Sequence, residues 1–198
     1  MPLLLRRRTF LGSLAIGAGT TLVGCAPPWK VLVEEPRNPF QGQRVFAVMP
    51  LVFEGLEIGD KREIDWLAER DRDQRISFAE DKDAMVARFA TGLMAGAHAR
   101  GILVVPATGP GAAPFLIRAS VRFIEPGFFV GVASKNSRTE MDVRFMAPDG
   151  RILDEILAHH ETRGSFGPEA SIGGRLRRDA EALGEIVARY LYSRVRTD

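Results

Sequence analysis

Side chains that could bind a metal occur together at His159, His160 and Glu161. Imidazole nitrogens and carboxylate oxygens are common protein ligands of zinc and related metals. The surrounding residues favour a strand, however, and adjacent residues of a strand point to opposite faces, so the two imidazoles cannot easily share one ion. His98 is the only other histidine, and no HExxH spacing occurs. We therefore predict no metal site and no cofactor, with one histidine half-buried and the other solvated.

Residues for nucleophilic or acid–base catalysis follow no recognisable pattern. The sequence has no G-x-S-x-G nucleophile elbow, and its glycines match neither a phosphate-binding loop nor a dinucleotide-binding motif. Acidic residues cluster between Glu57 and Asp65, but Lys61 and Arg62 lie among them, which is typical of a solvated surface. The sequence therefore favours a protein without enzymatic activity, and a hydrolase is the alternative.

The first 28 residues contain three zones: arginines at positions 6–8, a moderately apolar stretch from Phe10 to Val23, and a small residue before Cys25. The apolar stretch has about 14 residues, whereas a membrane-spanning helix needs roughly 20 predominantly apolar ones. This layout is typical of an export signal that is removed from the mature protein. The alternative is an apolar N-terminal helix with a buried thiol, which fits poorly with the prolines that directly follow the cysteine.

Two motifs in this segment resemble those of exported bacterial lipoproteins. RRRTFLG resembles the twin-arginine export motif, with Arg7, Arg8, Phe10 and Leu11 at the matching positions. A general secretory signal is the alternative. The motif Leu22-Val23-Gly24-Cys25 resembles the lipobox. This resemblance implies cleavage after residue 24, a lipid on Cys25 and, because alanine rather than aspartate follows, an outer-membrane location facing the periplasm.

Charge gives no reason to expect nucleic-acid binding. The whole chain has a formal net charge of +2, but residues 1–24 hold three arginines and no acidic residue. Cleavage there would leave 24 basic residues against 25 acidic ones, with the signs interspersed along the chain. A near-neutral domain has no electrostatic attraction to phosphates. Because Cys25 is the only cysteine, no intramolecular disulfide can form.

An apolar segment bracketed by glycines, residues 127–132 (GFFVGV), could contact a partner. If it forms a loop, Phe128, Phe129 and Val130 are exposed and could bind another envelope protein or enter lipid headgroups. The alternative is a strand pair that packs inward with glycine bulges.

Two functions are open for the mature domain. The first is a lipid-anchored accessory or scaffold protein that binds another envelope protein, for which a flat apolar patch around Phe128 would be expected. The second is a small-ligand or glycan-binding lipoprotein, for which a deep pocket lined by Arg118, Arg122 or His159 would be expected.

The elements that must position these residues follow from the spacing of apolar side chains. Buried strands are predicted at 45–53, where Pro50 marks an end or an irregularity, and at 102–106. A three-to-four spacing predicts a core-facing helix from about Glu80 to Ala99 and a second helix from Gly174 to Arg194. Strands with one polar face are predicted at 115–123, 140–145 and 152–160, the last two joined by a turn at 149–150.

The resulting order, β-α-β-β-β-β-α, predicts an α/β (α+β) fold with a mixed sheet of about five strands and both helices on one face. Residues 25–43, with four prolines, are predicted to be the lipidated cysteine and a tether to a single domain over 44–198. In layout this domain is similar to the amino-terminal domain of the TolB periplasmic family. The residues that carry the resemblance are a strand ending near Phe53, the crossover helix, Ile117–Gly127 (IRASVRFIEPG) and Met141–Ile152 with its MAPDGRI turn.

Overall fold

A computed structural model describes residues 27–108, 111–130 and 133–196. The predicted signal segment and the predicted lipidation site at Cys25 lie outside the described residues.

Strands and short turns alternate with three helices along the described chain. The first half contains β1 (Trp29–Glu34), β2 (Val45–Val48), β3 (Glu57–Ile58), β4 (Lys61–Arg62), α1 (Glu63–Ala68), α2 (Arg72–His98) and β5 (Leu103–Pro106). The second half contains β6 (Leu116–Glu125), β7 (Phe128–Phe129), β8 (Ser134–Lys135), β9 (Ser137–Met146), β10 (Ile152–Thr162), a 3-10 turn (Pro168–Ala170) and α3 (Ile172–Val195).

The predicted mixed sheet with helices packed on it and a C-terminal helix is confirmed, but the sheet has eight strands rather than about five. The elements β2, α2, β5, β6, β9, β10 and α3 follow one another as β-α-β-β-β-β-α, and the main sheet has the order β1-β10-β9-β6-β2-β5. Strand β2 is parallel to both β5 and β6, whereas β6, β9, β10 and β1 are antiparallel neighbours. The parallel pairs therefore lie at one edge of the sheet, beside β5, and the antiparallel pairs extend to the other edge at β1.

One face of the sheet is covered by α2 and α3, and the other face is open. Along β6, Ile117, Ala119 and Val121 are completely buried, whereas the intervening Arg118 and Arg122 are not. The same alternation runs along β9. Because successive strand residues point to opposite faces, one helical layer buries one set and leaves the other in contact with water.

The two long helices approach each other closely at glycines. A Cβ atom on Gly92 would overlap the carbonyl group of Glu181, and one on Gly184 would overlap the backbone of Phe89 and Leu93. Glycine has no side chain to hold the helix backbones apart. The close contact between α2 and α3 therefore depends on these two positions.

The prediction of a tether over residues 25–43 is wrong for residues 29–43. Strand β1 pairs with β10 at the edge of the sheet, and Phe40 is completely buried, with its ring 5.0 Å from that of Phe115. Arg194 of α3 donates to Asp154 of β10 (Nε to Oδ2, 2.7 Å) and to Glu34 of β1 (2.8 Å). The partners of these residues are distant in sequence, so the local proline-rich composition gives no indication of the contacts.

Two predicted boundaries also differ from the structure. Helix α2 begins at Arg72, well before the predicted start near Glu80, because Asp71 and Gln74 form a capping box that starts it. Strand β2 ends at Val48, before Pro50, and the predicted extension survives only as an isolated bridge at Val52.

Candidate functional site

The two ends of the sheet carry different surfaces. At one end β6 finishes, β9 begins and β10 finishes, so that Ser137 pairs with Thr162 and α3 starts nearby. We call this the hairpin end, because β7 and β8 form a short antiparallel hairpin there. At the opposite end β2 begins, and α2 and α3 finish. We call this the arginine end, for residues described below.

The predicted contact segment lies on the hairpin. Phe128 is 46% exposed and Val130 is 66% exposed. Gly127 has a φ of 61°, and a Cβ there would lie 2.6 Å from the carbonyl oxygen of Asn136. This position therefore requires glycine. That the segment binds a partner stays a prediction.

A buried arginine connects the hairpin to the loop of residues 163–171. Arg175 of α3 is only 1% exposed and donates from Nη1 to the carbonyl oxygens of Glu169 (2.8 Å) and Ala170 (3.0 Å). Its Nη2 donates to the carbonyl oxygen of Pro126 (3.0 Å). Burial lowers the pKa of Arg175, and the nearby charge of Asp179 opposes that effect. Periodicity alone predicts a solvated arginine here, so this residue was missed.

A second buried group, Asp179 of α3, is completely inaccessible to water. Its Oδ1 accepts hydrogen bonds from Thr162 Oγ1 (2.6 Å) and is 2.8 Å from His160 Nδ1. Its Oδ2 accepts from Ser137 Oγ (2.8 Å) and Thr139 Oγ1 (3.3 Å). All three hydroxyls bind the carboxylate rather than the imidazole, which is not the arrangement in which a histidine activates a nucleophile. The cluster holds α3 on β9 and β10.

The two adjacent histidines lie on opposite faces of β10. His160 contacts Asp179 on the helix-covered face, while His159 pairs in register with Glu140 of β9. Over the residues that the structure describes, no group of three or more histidine, cysteine or acidic side chains could hold a metal ion.

The open face of the sheet carries ion pairs and a small cavity. Arg118 binds Glu54 at 2.8 Å, and Arg144 binds Glu155 at 2.8 Å. A cavity of about 150 Å³ lies between Arg118, Arg144 and Asp142, and neither Arg122 nor His159 lines it. Ligand pockets usually measure about 300–1,000 Å³. The deep pocket expected around Arg118 is therefore not formed by these residues.

Two larger grooves at the hairpin end share Trp66 and Arg70, whose guanidinium lies 4.2 Å from the indole ring centroid. One measures about 560 Å³. The other, about 600 Å³, is lined by Trp66, Phe78 and Ile172 together with Asp81 and other polar residues. Burial raises the pKa of Asp81, and the charge of Arg177, which donates to it at 3.0 Å, partly opposes the rise. The many charged residues between positions 59 and 83 indicate a solvated surface, so the sequence does not predict this groove.

Four arginines define the arginine end: Arg37, Arg44, Arg100 and Arg196. Contacts of neighbouring residues bring their segments together. The amide of Leu103 donates to the carbonyl oxygen of Arg44 (2.8 Å), and that of Gly42 donates to the carbonyl oxygen of Val195 (3.0 Å). The side chain of Asn38, next to Arg37, donates to the carbonyl oxygen of Arg194 (2.6 Å). The neighbouring acidic residues Glu34 and Glu35 pair instead with Arg194 and Arg151. Within 27–108, 111–130 and 133–196, none of the four arginines forms an ion pair.

No helix in the described part of the chain is long and apolar enough to cross a membrane.

Neither a protein-family model nor a curated protein matches the sequence. Among solved structures, the chain is similar to the PelC dodecamer from Paraburkholderia phytofirmans, with a TM-score of 0.48 and 12% identity over 85% of this chain and 98% of that one. It is also similar to the hypothetical protein CT253 from Chlamydia trachomatis (TM-score 0.44, 11% identity, 75% of this chain and 97% of that one). A Xanthomonas campestris protein of the DUF330 family is similar at a TM-score of 0.44 and 11% identity, over 83% of this chain and 93% of that one. The resemblance to the TolB domain stays a prediction.

Proposed function

We propose that this chain is a non-enzymatic protein of the cell envelope, anchored through a lipid on Cys25, that binds an acidic surface of another envelope protein. The anchor rests on the lipobox-like motif, export on the twin-arginine-like motif, and the outer-membrane location on Ala26, which follows the cysteine. The binding function rests on the arginine end.

The observation that carries the binding proposal is the group of four arginines without ion pairs. Elsewhere in the domain some exposed cations are matched by acidic residues, as in the pairs Arg118–Glu54 and Lys135–Glu125. At the arginine end the cations are left in excess, and Arg37, Arg44 and Arg196 are exposed. The ends of α2 and α3 explain part of this excess, because cations stabilise helix C-termini. Exposed unpaired arginines also attract a partner of opposite charge and fix its orientation.

The test is crosslinking in cells followed by mass spectrometry, with the anchored wild-type protein beside an Arg44→Glu/Arg196→Glu variant. The matched control is Arg189→Glu, an exposed arginine on the side of α3. The proposal expects one discrete envelope protein that crosslinks to the wild type and the control but not to the double variant. An adduct that persists in the double variant would place the binding surface elsewhere.

The anchor is tested separately by the intact mass of the protein extracted from membranes. The expected mass lacks residues 1–24 and carries acyl groups on Cys25. An uncleaved chain with a free thiol would contradict the proposal.

A second candidate, the binding of a small ligand or glycan, is favoured by the groove at Trp66. Its volume of about 600 Å³ is within the usual range of ligand sites, and aromatic side chains line it as they line many such sites. If this function is correct, a Trp66→Ala variant loses binding of a glycan or metabolite array while Arg44→Glu/Arg196→Glu retains it. Binding that depends on neither change would exclude the groove.

A further inference from the structure

The route by which the chain enters the domain is fixed by β1. Trp29 pairs with Ala158, and the amide of His159 donates to the carbonyl oxygen of Pro28 (3.1 Å). Because β1 and β10 are antiparallel, the chain preceding Pro28 approaches from the side of Thr162, where β10 finishes. The chain therefore enters at the hairpin end.

The short distance from Cys25 to Pro28 limits which end can face a membrane. Three residues span at most about 11 Å when fully extended. Helix α3 has 24 residues and runs from the hairpin end to the arginine end, which is about 36 Å at 1.5 Å per residue. Pro28 lies beside His159, three residues or about 10 Å before β10 finishes at Thr162. An extended chain can thus carry a lipid on Cys25 to the hairpin end, whereas the arginine end lies in the opposite direction.

Apolar side chains are exposed at this same end. Phe128 and Val130 lie on the hairpin, and Phe166, 82% exposed, lies on the loop of residues 163–171. The hairpin extends past Glu125 and Ser137, where the strands of the main sheet finish. Aromatic and aliphatic side chains presented in this way gain free energy by entering the interfacial region of a bilayer.

The two apolar segments are held together from beneath by Arg175. Its guanidinium binds the carbonyl of Pro126 at the base of the hairpin and those of Glu169 and Ala170 in the loop. One exposed cation, Arg163, follows β10 at this end and forms no ion pair among the residues described. An apolar surface held in this way suits the headgroup region of a bilayer.

We propose that the hairpin end rests on the membrane that holds Cys25, with Phe128, Val130 and Phe166 in the headgroup region. This inference rests on the proposed lipidation. It assigns the hairpin to lipid rather than to a protein partner, and it leaves the arginine end pointing away from the bilayer.

The experiment uses the full-length lipoprotein, purified and reconstituted into vesicles of phosphatidylethanolamine and phosphatidylglycerol. A Val130→Cys variant is labelled with an environment-sensitive fluorophore, and Gln41→Cys, exposed at the arginine end, is the matched control. The fluorophore at position 130 should shift to shorter wavelength and lose emission when nitroxide-bearing lipid is included. The fluorophore at position 41 should show neither effect. A Phe166→Cys variant gives a second, independent position that should behave as position 130.

The outcomes distinguish a failure of the proposed lipidation from a failure of the proposed orientation. A lipidated Cys25 has no free thiol, so each variant takes up one fluorophore; two fluorophores per chain would overturn the lipidation and this inference with it. One fluorophore without quenching at positions 130 and 166, or with equal quenching at 41, would overturn the orientation alone. In cells, a protein adduct from a photocrosslinker at position 130, together with absent quenching in vesicles, would return the hairpin to protein binding.

Discussion

Replacing Asp179 with alanine tests whether the buried hydroxyl cluster stabilises the fold. The Asp179 carboxylate accepts hydrogen bonds from Ser137, Thr139 and Thr162 and contacts His160. It binds the first half of α3 to β9 and β10. Truncation removes every one of these contacts at once.

The expected loss follows from which groups stay unsatisfied. The hydroxyls of Thr139 and Thr162 are buried and lose their acceptor, while Ser137 keeps the carbonyl oxygen of Thr162 at 3.3 Å. A buried polar group without a partner costs about 1–3 kcal/mol. Removing a buried carboxylate also removes its desolvation cost, which offsets part of this loss. We therefore expect Asp179→Ala to lower the free energy of unfolding by about 2–4 kcal/mol.

The assay is urea unfolding of the purified protein followed by circular dichroism, with Asp83→Ala, an exposed aspartate on α2, as the control. The control should change stability by less than about 0.5 kcal/mol. In a Thr139→Val/Thr162→Val background no buried threonine hydroxyl remains to be satisfied, so Asp179→Ala should cost markedly less there. A cost below about 1 kcal/mol in the wild type, or equal costs in both backgrounds, would refute the reasoning.

Two further predictions concern the helix pair and its groove. Gly184→Ala places a Cβ against the backbone of Phe89, so it should lower the thermal unfolding midpoint and cost about 1–3 kcal/mol; an unchanged midpoint would show that the helices can separate freely. For Asp81, burial raises the pKa in the folded protein above its ordinary value of 3.8, so ionisation costs stability. The stability of Asp81→Asn relative to the wild type should therefore increase as the pH rises from below 3.8 through the raised pKa, and urea midpoints across that range that differ by a constant amount would contradict this.

The elements that are recognisable in the sequence are those whose partners lie in a regular pattern. Along most of β6 and β9 apolar and polar residues alternate, because one face of the sheet is buried and the other is in contact with water. The main helices and the order of elements follow in the same way. Strand β1 has no such pattern, since Val31, Leu32 and Val33 at the sheet edge are all exposed. Its place depends on Asp154 and Arg194, which are distant in sequence.

The polar residues that organise the hairpin end were beyond reach of the sequence for a related reason. Helical periodicity assigns polar residues to the solvent, but Arg175 and Asp179 lie on the buried stripe of α3. Their partners are carbonyl groups of a loop and hydroxyls on two strands. Only the folded arrangement of the sheet brings those groups under the helix, so no local signal could have identified them.

The predicted mature chain is nearly neutral, yet exposed arginines lie at one end of the domain and exposed apolar side chains at the other. Ion pairs within the sheet and the helices match only part of the charges, and the exposed residues at each end determine what that end can attract. At the arginine end these are cations beside helix C-termini. At the hairpin end they are the apolar side chains of Phe128, Val130 and Phe166. Because the chain enters at the hairpin end, a lipid at Cys25 would hold that end at the membrane and the arginine end away from it. A partner recognised by charge would then be met on the periplasmic side, where salt should weaken its binding without releasing the anchor.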